Sequence, residues 1–323
     1  MSDKDYIYAG ESATLATYQL LSTNQRELLL NTKSVDELCD VLRETCFARY
    51  VSGVPLPNAL DAALQEVKQN MQRIESSGDT ARLFFLRYDY ENAAHIVQSL
   101  ENASLSPEEV LETCSPFGMY TPARMYAAIS EGKLHALDAR IVETAREAEK
   151  QYKSMTQQYG AHVVFERGYI QHAQAIANEA KDTTLQTYTA LQTDIYNVRA
   201  LLLTEDKKLF VSGGTIEVRH MQLQDIAIAL SLHDNSIQWV RIMTEYTDTN
   251  DHSAIDRALD DYQTKLLKRA AIDRQSLAPV LLYLHAFIEN VQYIRTLYTA
   301  HTVGLSTETL RNLIRTPALS YAY

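Results

Sequence analysis

Glycine and proline are scarce here, ten and seven in 323 residues. So few chain-breakers exclude collagen-like and low-complexity classes and leave little turn chemistry for an all-β fold. Cysteine is rarer still: Cys39, Cys46 and Cys114 are odd in number and have no metal-type spacing. That excludes a disulfide framework, and with no secretory leader at the N-terminus they read as reduced core thiols of a cytoplasmic protein. Long apolar runs are missing too. The longest, 278–288, is interrupted by His285 and is far too short to span a bilayer. Basic excess is also absent. The formal net charge is −11, and acids outnumber bases in each of 1–105, 106–208 and 209–323. Nucleic acid and direct lipid insertion are therefore excluded as binding modes.

What remains is helix-forming. The chain is 46% hydrophobic, with 20 tyrosines against one tryptophan, and its length admits one large domain or two to three small ones. Three stretches repeat a rhythm of alternating four- and three-residue steps between apolar positions. The last runs through Val280, Leu284, Phe287, Val291, Ile294 and Tyr298. An earlier one runs through Thr184, Tyr188, Leu191, Ile195, Val198 and Leu202, and the first through Asp79, Leu83, Leu86, Tyr90, Ala93 and Val97. Such a rhythm is the seam of a helix packed lengthwise on another. Its recurrence predicts an all-α chain of three similar helical-bundle lobes, 1–105, 106–208 and 209–323.

A polar signature travels with each seam: Asp89 and Asn92, then Asp194, Asn197 and Arg199, then Asn290, Tyr293 and Arg295. Residues three apart share a helix flank, and the arginine five on falls across the seam. One reading is hydrogen bonding that sets helix register; the other is a shared ligand site. Drift from Asp to Asn, with no compensating acid nearby, disfavours catalysis.

Residues 6–30 read as a first helix, with Leu15, Tyr18, Leu21, Leu28 and Leu29 on its face. Ser34 caps a short helix over 35–45, and Leu60, Leu64, Val67 and Met71 mark another from near Asn58 toward Gly78. Ser106, Pro107 and Glu109 form a strong helix start, with a counterpart at Ser306 to Glu308 after the terminator Gly304. A charged helix spans 134–158, Gly160 ends it, and another covers 162–180. The stretch 206–214, with the glycine pair Gly213 and Gly214, reads as a hinge or linker. Thr247 to Ser253 reads as flexible before a helix at 254–271.

Catalytic patterns are missing. No phosphate loop or dinucleotide fingerprint occurs, and Ser212 lacks the context of a strained nucleophile turn. His162, Glu166 and His172 share a face too loosely to read as a metal site. No cofactor, metal or catalytic residue is expected.

At the seams the sequence resembles the C-type subunits of the bacterial and archaeal V/A-type rotary ATPases, themselves similar to the d-type subunits of the eukaryotic enzymes. The family's Asp-x-x-Asn segment after a leucine-rich run is matched by Phe84 to Asn92 and by Asp194 to Arg199. Its aromatic-x-Gly-Gly segment resembles Phe210 to Gly214, and its C-terminal run resembles Tyr293 to Arg295 through Gly304 to Ser306. Tyr6 to Leu21 fits the family's opening. The chain departs from the pattern at Ser12 to Ala16 and Ala94, where basic residues are usual, and at Asn290 and Tyr293. The resemblance implies a pseudo-three-fold funnel of three lobes. Such a funnel would be a non-catalytic central-stalk rotor component, joining the soluble axle subunits to the membrane rotor ring. It would be cytoplasmic, peripheral to the membrane through the complex. The alternatives are a helical scaffold outside rotary ATPases and an all-α enzyme with an inter-lobe pocket.

Overall fold

The computed structural model describes residues 3–75, 77–102, 105–154, 160–204, 209–216, 222–234, 237–249, 252–305 and 309–310. The expected counterpart start at Ser306 to Glu308, and Asp206 to Lys208, lie outside the described residues. Every regular element among the described residues is helical, so the all-α expectation holds. Two compact units emerge, residues 1–80 with 234–323, and residues 81–233.

The first unit opens with α1 (Asp3–Tyr18), α2 (Thr23–Leu30), α3 (Val35–Leu42), α4 (Ala48–Val51) and α5 (Leu56–Ile74). Next come α6 (Asp79–Asn102), α7 (Pro107–Thr113), α8 (Pro122–Ser130) and a 3-10 turn (Leu134–Ala136). The second unit continues through α9 (Ala139–Ser154), α10 (Gly160–Ala180), α11 (Thr183–Thr204) and α12 (Leu223–His233). The chain then returns to the first unit with α13 (Trp239–Thr249), α14 (His252–Ala270) and α15 (Ala278–Val303).

The three seam helices are central because they are apolar on more than one face. Leu83, Leu86, Tyr90, Ala93 and Val97 are buried in α6, and Tyr188, Leu191, Ile195 and Val198 in α11. In α15 the buried set is Val280, Leu284, Phe287, Val291 and Ile294. Within the first unit, α15 lies along α1 and α14 and meets α5, α3 and α2. Phe47 packs on Phe287 at 5.6 Å, and the Trp239 ring meets Tyr262 edge-on at 5.7 Å. In the second unit α10 packs between α9 and α11. Tyr90 of α6 reaches Phe165 and Tyr169 of α10, while Phe84 stacks on Tyr188 of α11 at 5.5 Å.

Helix ends follow their local chemistry. Ser106 and Glu109 form a reciprocal capping box with Pro107 in the first turn. Gly304 ends α15 in the left-handed region at φ 75°, its N–H donating to His301 and that of Leu305 to Ala300. That pair of bonds is the Schellman arrangement. Helix α5 starts at Leu56, slightly ahead of the expected Asn58, and buries Leu60, Leu64, Val67 and Met71.

Three expectations are corrected. Residues 6–30 are two helices, because Ser22 makes a capping box with Gln25 and starts α2 afresh. The break turns Leu15, Tyr18 and Leu28 outward, while Leu21 and Leu29 stay buried. The stretch from Thr247, expected to be flexible, is helical to Thr249, with Thr247 and Thr249 hydroxyls donating back to Met243 and Glu245 carbonyls. Gly160 begins α10 rather than ending the helix before it. The cysteines are free thiols; Cys114 is buried, while Cys39 and Cys46 are only partly so, against the expectation of core thiols.

Candidate functional site

The polar signature closes on loops. Asn92 is buried on α6 and pairs with both backbone groups of Ser115: its Nδ2 donates to the carbonyl at 2.8 Å, and its Oδ1 accepts from the N–H at 2.7 Å. One turn earlier Asp89 accepts the N–H of Met119 at 2.7 Å and of Tyr120 at 3.0 Å. The residue types follow from the donors available. A carboxylate is acceptor-only and suits two consecutive N–H groups, whereas an amide offers one donor and one acceptor to a single residue.

The same clasp recurs on α11. Asn197 donates to the Val211 carbonyl and accepts its N–H, both at 2.8 Å. Asp194 accepts the N–H of Thr215 at 3.1 Å and of Ile216 at 2.9 Å, and also the Thr215 hydroxyl. In each copy the asparagine holds one loop residue and the aspartate holds the fourth and fifth residues beyond it. The loops 115–120 and 211–216 are therefore equivalent arches bound to equivalent helices. Burial pushes the Asp194 carboxyl upward, opposed first by the Thr215 hydroxyl and then by the two N–H groups.

Both arches need a glycine at the same place. A β-carbon on Gly118 would stand 2.0 Å from Asp89 Oδ1, and one on Gly214 2.1 Å from Asp194 Oδ1. Gly213, at φ 98°, adds the backbone freedom that its arch uses. The hinge expected at the glycine pair is thus corrected for 209–216: it is a pinned arch. The Tyr196 hydroxyl also donates to the Leu209 carbonyl at 3.1 Å, and Gln174 of α10 donates to Ser212 at 2.8 Å. Leu209, Phe210, Val211 and Ile216 of the arch are themselves buried.

The third copy uses a different partner. Asn290, fully buried in α15, returns its amide N–H to the Ala286 carbonyl at 2.6 Å and accepts from the Arg26 guanidinium at 3.3 Å. Tyr293 donates to the Arg26 carbonyl at 2.7 Å, and that guanidinium lies 5.5 Å from the Tyr293 ring centre. Helix α2, from the start of the chain, therefore occupies the flank that the arches occupy in the other copies. Arg26 is a positioning residue that the sequence reading missed, since nothing local marks its partner.

The arginines part company. Arg295 pairs with Asp61 of α5. Arg199 borders a cavity of about 180 Å³ between α6, α10 and α11, which Ala94 also lines. His162 and Glu166 stand at the same cavity. His172 instead lies buried with its Nδ1 3.1 Å from the Tyr90 hydroxyl, and burial pushes its pKa down to about 4. Among the described residues no group of histidine, cysteine and acidic side chains converges as metal ligands. Asp89, Asn92, Asp194, Asn197 and Asn290 thus serve as internal clasps, each meeting its own segment of chain.

Residues 17–313 match the family model described as ATP synthase (C/AC39) subunit. No curated protein matches the sequence.

Proposed function

The chain belongs to the ATP synthase (C/AC39) subunit family, and from that premise we propose that it couples the central axle of a V/A-type rotary ATPase to the membrane rotor ring. Membership makes the other subunits of such an ATPase its partners. The coupling role is mechanical and non-catalytic, carried out at the cytoplasmic face of the membrane. The single observation that carries this reading is a family match spanning 17–313, on a scaffold whose regular elements among the described residues are all helical.

A coupler that transmits torque needs stiffness and slow dissociation. Lengthwise packing of α15 along α1 and α14, and arches pinned onto α6 and α11, support the first requirement. The proposed form is three lobes, 1–105, 106–208 and 209–323, arranged as a funnel, and the repeated clasp on α6 and α11 supports the likeness of the first two. No helix among the described residues is long and apolar enough to cross a membrane, in keeping with attachment through protein partners. The net charge of −11 suits a basic surface on the axle.

The test is removal and restoration in the assembled enzyme. Without this chain, ATP hydrolysis by the soluble part continues while ion pumping stops, and adding it back restores pumping. Pumping that persists without the chain overturns the reading, as does failure to co-purify with axle subunits and ring. Salt titration of the axle complex tests the charge argument separately, since an electrostatic contact weakens with ionic strength.

A further inference from the structure

His285 is the polar interruption in the apolar run 278–288, and it falls where α15 lies along α14. Only 13% of its side chain is exposed. Its Nε2 is 3.2 Å from Glu289 Oε1, one turn further along α15, and 3.1 Å from the Thr264 hydroxyl of α14. Its Nδ1 is 3.3 Å from Gln263 Nε2, also on α14. Thr264 is buried, and Glu289 keeps 19% of its side chain exposed. Both ring nitrogens thus make contacts across the joint between the two helices.

The charges acting on the ring are of one sign. Glu289 on α15 and Asp260 on α14 both favour the protonated imidazole. Lys268 of α14 interacts with Glu289, and Arg26 of α2 acts on Lys268 in turn. Helices α1, α2, α3 and α5 also meet α15, and among the described residues they bring no charge to the ring. Burial is the largest single influence and opposes the proton, but the two carboxylates and the bond to Glu289 outweigh it, so the pKa is raised.

We propose that the α14–α15 joint is a proton-operated latch, closed while His285 holds a proton and looser once the ring is neutral. In the charged state Nε2–H donates to Glu289, and Nδ1–H meets Gln263, whose amide turns over to offer its oxygen. In the neutral state Glu289 is left in a largely buried place without the cation that balances it. The carboxylate then draws water into the joint or turns toward Lys268, and either movement loosens the contact with Thr264. Linkage fixes the direction. The closed joint binds the proton more tightly than the open one, so its stabilisation is complete below the ordinary imidazole value of 6.5 and is lost as pH rises through the raised one. His172, in the second unit, is pushed the other way, so the two units respond to pH in opposite senses.

Amide hydrogen exchange of the full chain, followed by mass spectrometry from about pH 6 to about pH 9 and corrected for the intrinsic rise of exchange with pH, tests the latch. The expected result is a several-fold fall in protection of α14 and the first half of α15 as pH rises, absent in His285→Gln, which cannot titrate. The imidazole NMR signal missing from His285→Gln reports the proton directly: it titrates above 6.5 in the parent and lower in Glu289→Gln. If His285→Gln fails to fold, Glu289→Gln decides, through reduced protection near pH 6 and the downward move of the imidazole titration. The proposal is overturned by protection that does not change with pH, by the same fall in His285→Gln, or by an imidazole titration that Glu289→Gln leaves unmoved.

Discussion

Gly118 comes so close to Asp89 that a β-carbon there would fall 2.0 Å from the carboxylate Oδ1, and Gly214 stands in the same relation to Asp194 at 2.1 Å. Neither contact leaves room for a methyl group without withdrawing the carboxylate from its N–H donors. Gly118→Ala and Gly214→Ala are each expected to destabilise the chain by about 2–4 kcal/mol in denaturant unfolding. Gly132→Ala is the control: nothing lies within 4 Å, so only its backbone angle of φ 68° is strained, at about 1 kcal/mol. Equal losses at all three positions would refute the steric account.

The order Asp then Asn is dictated by what each must meet. Asn197→Asp removes the donor to the Val211 carbonyl and sets a buried charge against that oxygen, a loss of about 3 kcal/mol or more. Asp89→Asn keeps one acceptor but turns an NH₂ toward a backbone N–H, a loss of about 2 kcal/mol. Exchanging the pair in one variant, Asp89→Asn with Asn92→Asp, should be at least as damaging as either single change. A neutral exchange measured by urea unfolding would show that the clasp geometry contributes nothing.

Much of the fold was legible because helix signals are local. The seam positions, the Ser106 capping box and the Gly304 terminator each declare themselves within one or two turns. The break at 19–22 was marked only by the Ser22-x-x-Gln25 capping spacing, with no glycine or proline beside it, and Leu20 and Leu21 continue the apolar pattern across it. The Thr-rich run to Thr249 read as loop because threonine hydroxyls compete for backbone bonds, yet there they fold back onto carbonyls of the same helix. At the site, Asp89, Asn92, Asp194 and Asn197 were visible as a pattern, but their partners were not. The glycine pair reads as freedom in the sequence; the structure uses one member to admit a carboxylate. Arg26 is 264 residues from Asn290, a separation no spacing argument reaches.

That distance makes Arg26 a sensitive probe of the first unit. Tyr293→Phe removes only the bond to the Arg26 carbonyl and should cost about 1 kcal/mol. Arg26→Met keeps the aliphatic stem but removes the donor to Asn290 and the cation over the Tyr293 ring, an expected loss of about 2–3 kcal/mol. The double variant should lose less than the sum, because both changes act on one α2–α15 contact. Strict additivity in the unfolding cycle would mean that Arg26 and Tyr293 act independently.

His172 gives the second unit a defined acid response. The imidazole is buried against Tyr90, and burial is the largest cause of its low pKa; Arg140 and Arg82 add to it, while Asp138 and Glu179 oppose it. In the unfolded chain the ring takes a proton near pH 6.5, but in the folded chain it stays neutral down to about 4. Between those values the unfolded state binds more protons, so stability falls as pH falls. The contribution is intact above pH 6.5 and fully lost below about 4, a change on the order of 3 kcal/mol. His172→Gln retains an acceptor for the Tyr90 hydroxyl and cannot titrate. Its unfolding free energy should therefore decline less steeply than the parent's across this window, and the two curves should run parallel above pH 7. Parallel curves throughout would place the titration elsewhere. An imidazole resonance titrating near 6.5 in the folded chain would contradict the burial argument itself.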